Sequence, residues 1–282
     1  MKTDKISFAK FHGLGNDFII SRGRGLPRNL PALARAITNR HTGVGADGFL
    51  VVLPPKHRRH DAWVRFFNAD GSEPEVSGNG LRCVGAYLAG ESERRQFVIE
   101  TAAGVKSLRL LKSDGGHWVF EVAMGEPILA TEKIPFAAKH VAAPVVNFPL
   151  PLSRGEVRVT VTSMGNPHCT VFVDDFDVVD WRALGREIEK HRLFPNRTNV
   201  EFVKVISRRE IAVRFWERGV GETNSSGTGS CGAAVACILN SLTGRKVRVR
   251  TLAGNLKIAW PENGEVTLTG PAKRIAEGTF HY

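Results

Sequence analysis

The chain repeats itself. Arg65, Phe66, Glu73, Ser77, Gly78 and Gly80 recur 149 residues later as Arg214, Phe215, Glu222, Ser226, Gly227 and Gly229. Gly15-Asn16 recurs 150 residues later as Gly165-Asn166, and Thr101, Ala103 and Gly104 recur at that same spacing as Thr251, Ala253 and Gly254. The matches keep their order in both halves and include glycines at matching turns. Two copies at so long a period predict duplicated domains and not a solenoid of short units. The 282 residues are enough for two domains of ordinary size. The expected halves are residues 1–128 and 129–273, with a break near Met124–Pro135 and residues 274–282 returning to the first half. A functional site is expected in the cleft between them.

Runs rich in β-branched and aromatic residues predict strands at Phe49–Leu53, Ala62–Phe67, Phe97–Thr101, Trp118–Val122, Glu156–Val161, Ile211–Trp216, Val247–Thr251 and the final Gly278–Tyr282. Helical spacing of apolar residues marks Leu33–Asn39, and Asp180–His191 opens on an aspartate suited to capping. Two further helices begin just after Ser77 and just after Ser226. Their sequences are apolar on most sides, which predicts buried helices and not amphipathic surface ones.

The chemistry gathers at those two helix starts. In each half a strand leads through a polar, glycine-containing loop, Asn68 to Gly80 and Glu217 to Gly229, into a helix. The first turn of a helix leaves several N–H groups without partners, and the helix dipole adds positive potential there. Glycines let a bound anion approach the backbone closely. Such a start can hold a phosphate or a carboxylate. A single segment of this kind reads as a plain serine N-cap. Two at equivalent places in a duplicated chain point to one shared small-molecule site, with side chains able to act on opposite faces of one carbon. His168, in the loop Ser163–Cys169, adds an ionisable group beside the repeated Gly-Asn pair.

Other signals carry less. Gly43-Val44-Gly45-Ala46-Asp47-Gly48 fits the dinucleotide pattern of spaced glycines, but it precedes a strand and opens no helix. No glycine-rich segment is followed by a phosphate-binding lysine. The formal net charge is +11, yet the basic residues are scattered, with the densest run at Lys56–His60. That reads as a solvated basic surface, able to attract an acidic substrate, and no nucleic-acid partner is expected. No apolar run reaches the ~18 residues of a membrane span, and no secretory signal is evident, so no membrane is expected. Cys83, Cys169, Cys231 and Cys237 show no C-x-x-C spacing, which argues against zinc and redox motifs and for a reduced, cytoplasmic protein with no metal.

Phe11-His12-Gly13-Leu14-Gly15-Asn16-Asp17-Phe18 resembles the N-terminal signature of the diaminopimelate epimerase family. Asn68–Glu73, Gly78-Asn79-Gly80, Gly165-Asn166-Pro167-His168 and Glu217–Thr223 resemble its later motifs, in order across the chain. The resemblance implies an α+β fold of two pseudo-symmetric domains, each a barrel-like mixed β-sheet around a central helix. It implies an isomerase without cofactor or pyridoxal phosphate, converting LL- to meso-2,6-diaminopimelate by two-base proton transfer at the α-carbon. That step serves the synthesis of lysine and peptidoglycan precursors. The resemblance also suggests a homodimer.

Carried over residue by residue, it puts catalysis at Ser77, Ser226, His168 and Glu217. Asn16, Asn68, Asn166, Asn199 and Arg218 would bind the distal amino-acid end of a diamino-dicarboxylate substrate. Gly78, Asn79, Gly227 and Thr228 would bind the α-carboxylate. The chain departs from the family at the centre of this set, for both catalytic cysteines are serine here, and Gly48 stands where some members have glutamine. An unaided serine is a poor base for an α-proton. Three readings stay open. The serines are introduced substitutions in a standard epimerase; or they are activated by His168 or Glu217; or the frame serves another amino-acid racemase, a dehydratase or a ligand-binding protein. Cys83 and Cys231 read as packing residues inside the helices and not as substitutes.

Overall fold

The computed structural model describes residues 5–138, 141–153, 155–262 and 264–282. The chain forms two compact units. One is Met1–Ala123 with Thr269–Tyr282, and the other is Met124–Leu268. The junctions fall a few residues earlier than the sequence suggested.

The first unit carries β1 (Lys5–Gly13), β2 (Asn16–Arg22), α1 (Leu30–Thr38), β3 (Gly48–Leu53), β4 (Ala62–Asn68), α2 (Gly78–Gly90), β5 (Gln96–Thr101), β6 (Gly104–Asp114) and β7 (His117–Gly125). The strands are neighbours in that order, and β16 (Val266–His281) lies between β7 and β1. The sheet is therefore a barrel. It is mixed, because β2–β3 and β4–β5 are parallel while the hairpins are antiparallel. The return strand is longer than the sequence implied: Lys273, Arg274 and Ala276 to His281 pair with β1, with a register shift at Ile275. Helix α2 fills the barrel, with ten of its residues buried from Gly78 to Leu88. Helix α1 covers the outside, where Leu33, Ala34 and Ile37 pack with Ile19, Phe49 and Phe67. It starts three residues before Leu33, since Asn29 accepts from the Ala32 N–H and Pro31 sits in the first turn, where its missing N–H costs nothing.

The second unit repeats the plan. After β8 (Val145–Leu152) come β9 (Gly155–Ser163), β10 (Pro167–Phe172), α3 (Trp181–Glu189), β11 (Asn199–Ser207), β12 (Glu210–Glu217), β13 (Gly221–Thr223), α4 (Gly227–Leu239), β14 (Lys246–Thr251) and β15 (Gly254–Ala259). Strands β10–β11 and β12–β14 are its parallel pairs. The repeat holds at the level of single residues: Ala62 faces Ile99 in one half, and Ile211 faces Val249 in the other. Helix α4 is buried at Gly227 and from Gly229 to Cys237, and α3 is capped by Asp180 as its sequence suggested. Under α3 lies a core of Trp181, Ile188, Phe194, Val200 and Phe202. Each half is thus a barrel-like mixed sheet around a central helix. No helix among the described residues is long and apolar enough to cross a membrane.

Candidate active site

The two central helices begin alike. Ser77 has φ −132° and ψ 123°, and Ser226 has φ −131° and ψ 128°. Both are extended residues at the N-cap of a 13-residue helix. Ser77 Oγ accepts from the Gly80 N–H at 3.1 Å, and Ser226 Oγ accepts from the Gly229 N–H at 3.2 Å. Each cap satisfies one of the orphan donors and leaves others in the first turn for a ligand. Glycine is required one turn in. A Cβ on Gly80 would stand 3.0 Å from the Phe66 ring and 3.2 Å from Ser77 Cβ; one on Gly229 would stand 3.0 Å from the Phe215 ring and from Ser226 Cβ.

Around Ser77 the polar groups lean on a cation. Arg82 is fully buried and donates to Asn79 Oδ1 at 2.7 Å, to the Gly78 carbonyl at 3.1 Å and to the Pro271 carbonyl at 3.1 Å. Asn79 then donates to Asn16 Oδ1 at 3.1 Å, and Asn16 donates to Asp47 at 2.8 Å. Asp17, beside Asn16, is bound by Lys10 and Arg40. Burial works against its charged form, but the hydrogen bonds from Arg40 and Lys10 hold its carboxyl below the usual range. Asn68 is exposed at the end of β4 and donates to Ser72 Oγ at 2.9 Å.

Around Ser226 the polar groups lean on acids. Glu217 ends β12 and accepts from Thr223 Oγ1 at 2.5 Å. Burial raises its pKa, helped by the neighbouring charge of Glu201 and opposed by the bond from Thr223 and by His168. His168 is wholly buried and lies in β10, where its sequence had suggested a loop. The loop is shorter than expected because antiparallel pairing of β9 and β10 runs to the Ser163–Pro167 pair. The His168 Nδ1 meets Glu201 Oε1 at 2.7 Å, and its Nε2 meets Asn166 Oδ1 at 3.0 Å. Asn166 in turn reaches Thr228 Oγ1 at 3.4 Å, a weak counterpart of the Asn16–Asn79 bond. Asn199 donates to the Pro167 carbonyl at 2.9 Å and accepts from the Arg218 N–H at 3.0 Å; the exposed Arg218 side chain reaches the Asn196 carbonyl.

So Asn16, Gly78 and Asn79 gather with Ser77 in one half, and Asn166, His168, Glu217, Gly227 and Thr228 gather with Ser226 in the other. Asn199 and Arg218 join the second set through the β10–β11 pairing and the turn after β12, whereas Asn68 sits at an exposed strand end. Three participants went unread in the sequence: Arg82, Thr223 and Glu201. Arg82 and Glu201 did leave a signal, each being a charged residue inside an otherwise apolar run, which requires a buried partner. The cysteines are packing residues. Burial pushes the Cys83 and Cys237 thiols up to about 12, and raises Cys169 as well.

Known proteins are similar to this chain. The family model described as diaminopimelate epimerase matches residues 8–130 and 160–275. A diaminopimelate epimerase of Pelotomaculum thermopropionicum is 44% identical over 98% of this chain and 99% of its own. One of Desulforudis audaxviator is 46% identical over 98% and 99%. In fold the chain is similar to a hydroxyproline epimerase of Agrobacterium vitis, with TM-score 0.69, 17% identity and coverage of 99% and 93%. It is equally similar to a methylitaconate-delta-isomerase, at 0.69 and 17% over 100% and 96%. Near-complete coverage on both sides, at identities far above those of the fold neighbours, settles the relationship: the chain belongs to the diaminopimelate epimerase family.

Proposed function

We propose that this protein is an isomerase that epimerises 2,6-diaminopimelate at one α-carbon, with no cofactor. The observation that carries the reading is the pair of superimposable serine caps, at the places where the family puts its catalytic thiols. The α-carboxylate lies on the two helix starts, at Gly78, Asn79, Gly227 and Thr228. Asn16, Asn68, Asn166, Asn199 and Arg218 take the distal ammonium and carboxylate, which need several hydrogen bonds once out of water. Ser77 and Ser226 face opposite sides of the α-carbon, across the cleft expected between the two halves (1–128 with 274–282, and 129–273). One serine accepts the proton and the other returns one. The electron pair left behind spreads onto the α-carboxylate, where preorganised N–H groups stabilise it. We place the protein in the cytoplasm, as a homodimer acting in lysine and peptidoglycan precursor synthesis.

Serine makes this harder than cysteine would, so its hydroxyl needs a partner to take its proton. Glu217 and His168 supply one at Ser226. The test is NMR of diaminopimelate with the purified chain in deuterated water. Deuterium at an α-carbon together with LL–meso interconversion is expected. Correctly folded protein that gives neither would overturn the reading and leave a ligand-binding protein. Ser77→Cys with Ser226→Cys is expected to raise the rate, since a thiol ionises far more readily.

A further inference from the structure

The two halves use their outer helices differently. Helices α1 and α3 are both nine residues long, and each opens on a capping side chain, Asn29 or Asp180. Set cap on cap, at an offset of 151 residues, their buried positions coincide: Leu30 with Trp181, Ala34 with Gly185, Ile37 with Ile188 and Thr38 with Glu189. Thr38 turns back on its own helix, donating to the Ala34 carbonyl at 2.6 Å. Glu189 reaches away from its helix. Its side chain is 5% exposed, its Oε2 accepts from Trp216 Nε1 at 3.0 Å, and its Oε1 accepts from the Gly219 N–H at 2.9 Å with Arg197 Nη1 at 3.6 Å. These neighbours are all donors, so a carboxylate, accepting at both oxygens, is the group that satisfies them.

What Glu189 holds is a turn. Gly219, with φ +76°, is its third residue, and the Val220 N–H closes it on the Glu217 carbonyl at 3.1 Å. The Arg218 N–H goes to Asn199 Oδ1 and the Gly219 N–H to Glu189, so three successive N–H groups of the turn are bound. Glu217 is fixed separately, by its pairing with Gly221 and its bond from Thr223. In the first half the turn Asn68–Gly71 closes in the same way, at 2.9 Å, but α1 reaches it through the exposed Arg35, which donates to the Asp70 carbonyl at 3.3 Å. By the 149-residue repeat, Phe67 stands where Trp216 does, and Ala69 where Arg218 does. Buried acid separates the halves elsewhere too: Leu50 faces Phe66 in the β3–β4 ladder, and Glu201 faces Phe215 in the β11–β12 ladder. Three differences therefore meet at one turn. The second half has a carboxylate in the place of Thr38, an indole N–H in the place of the Phe67 ring, and an arginine in the place of the Ala69 methyl.

We propose that Glu189 is a positioning residue for substrate recognition: its buried carboxylate locks the Glu217–Val220 turn so that Arg218 meets the carboxylate at the distal end of the substrate. The proposal rests on the epimerase reading for the role of Arg218 and adds the group that aims it. Glu189 touches no substrate in this scheme. It acts at the root of Arg218, where fixed N–H groups on residues 218 and 219 set the direction in which the side chain leaves the backbone. A planar guanidinium needs that aim to meet a carboxylate with two parallel bonds, and a fixed root leaves less freedom to lose on binding. Stability alone does not call for a carboxylate here, since an apolar side chain is buried at lower cost.

The experiment measures diaminopimelate binding by calorimetry for Glu189→Gln and Arg218→Ala, singly and together, with kcat and KM alongside. Glutamine keeps the shape of glutamate but sets an NH2 group against one of the donors. Binding about tenfold weaker or more and a KM raised to match are expected from Glu189→Gln, because a buried donor loses its acceptor. A kcat changed by less than about threefold is expected, since Glu217 keeps its own anchors. In the Arg218→Ala background Glu189→Gln is expected to cost nothing further. Losses that add would show a carboxylate that acts on the fold and not through Arg218; they would overturn the proposal and leave the epimerase reading intact. Coupled losses in a protein that never interconverts LL- and meso-diaminopimelate would overturn the epimerase reading and keep Glu189 in its role. No binding by the unaltered protein would overturn both. Should Glu189→Gln fail to fold, Trp216→Phe copies Phe67 and removes only the indole donor. Binding about threefold weaker is expected from it when Arg218 is present, and no change when Arg218 is absent; equal losses in both backgrounds would again overturn the proposal.

Discussion

The surroundings of Ser77 and of Ser226 share a backbone and oppose each other in charge. Both serines cap helices of the same length at nearly the same dihedral angles. Behind the first stands a buried guanidinium with three hydrogen bonds; behind the second stand two glutamates and a histidine. Position 231, the repeat of Arg82, is a buried cysteine. Duplication thus kept the extended serine and the following glycine at each helix start, a geometry suited to an anion. It let the electrostatics behind them diverge.

The comparison can be broken most forcefully at Arg82. Arg82→Met removes a buried donor set and strands the Asn79 amide and two carbonyls; each unmatched group costs ~1–3 kcal/mol. We expect a loss of about 3 kcal/mol or more in denaturant unfolding, and weakened substrate binding as Asn79 and Asn16 lose their anchor. A loss under ~1 kcal/mol would show that the cation is not what orders that half.

The acid side is sharpened by pH. Burial raises the pKa of Glu201, with His168 working the other way. A carboxyl whose folded pKa lies above its unfolded value contributes most below the unfolded value, ~4.3, and that contribution fades as pH rises through the folded one. Glu201→Gln cannot ionise. The unaltered protein should therefore lose stability relative to the variant as pH rises above ~4.3, by at most ~1.4 kcal/mol per pH unit. A difference that is flat with pH, followed by thermal or urea unfolding, would argue that Glu201 ionises as freely when folded as when unfolded.

The smallest effect tests the part that stayed the same. Ser77→Ala and Ser226→Ala each remove one N-cap, worth ~1 kcal/mol. Similar losses are expected from unfolding curves of the two variants. A several-fold larger loss at Ser226 would mean that something other than the cap dominates its structural role.

Much of this was readable in advance, for identifiable reasons. The repeat marked both serines, the strands flanking them and the helices they cap, since turn chemistry and apolar patterning are local signals. Asp180 announced α3 correctly, while α1 began earlier than its apolar spacing because Asn29 and Pro31 set its start. His168 was singled out, but its strand was not, because the pairing that extends β10 comes from β9 and β11, far from its own neighbours. Glu201 and Arg82 were passed over. A charged residue in an apolar run says that a partner exists; which partner depends on contacts across 33 and 189 residues of chain.

By itself, then, the sequence determined the duplication, the two capped helices and the family resemblance. Those follow from residue types at fixed spacings. Tertiary structure alone decided that Leu50 and Glu201 occupy the same place in their barrels and that His168 bridges Glu201 to Asn166. The balance of charge behind each serine depends on which strands pair and in what register. Neighbours in the chain do not encode that; closure of the barrels does.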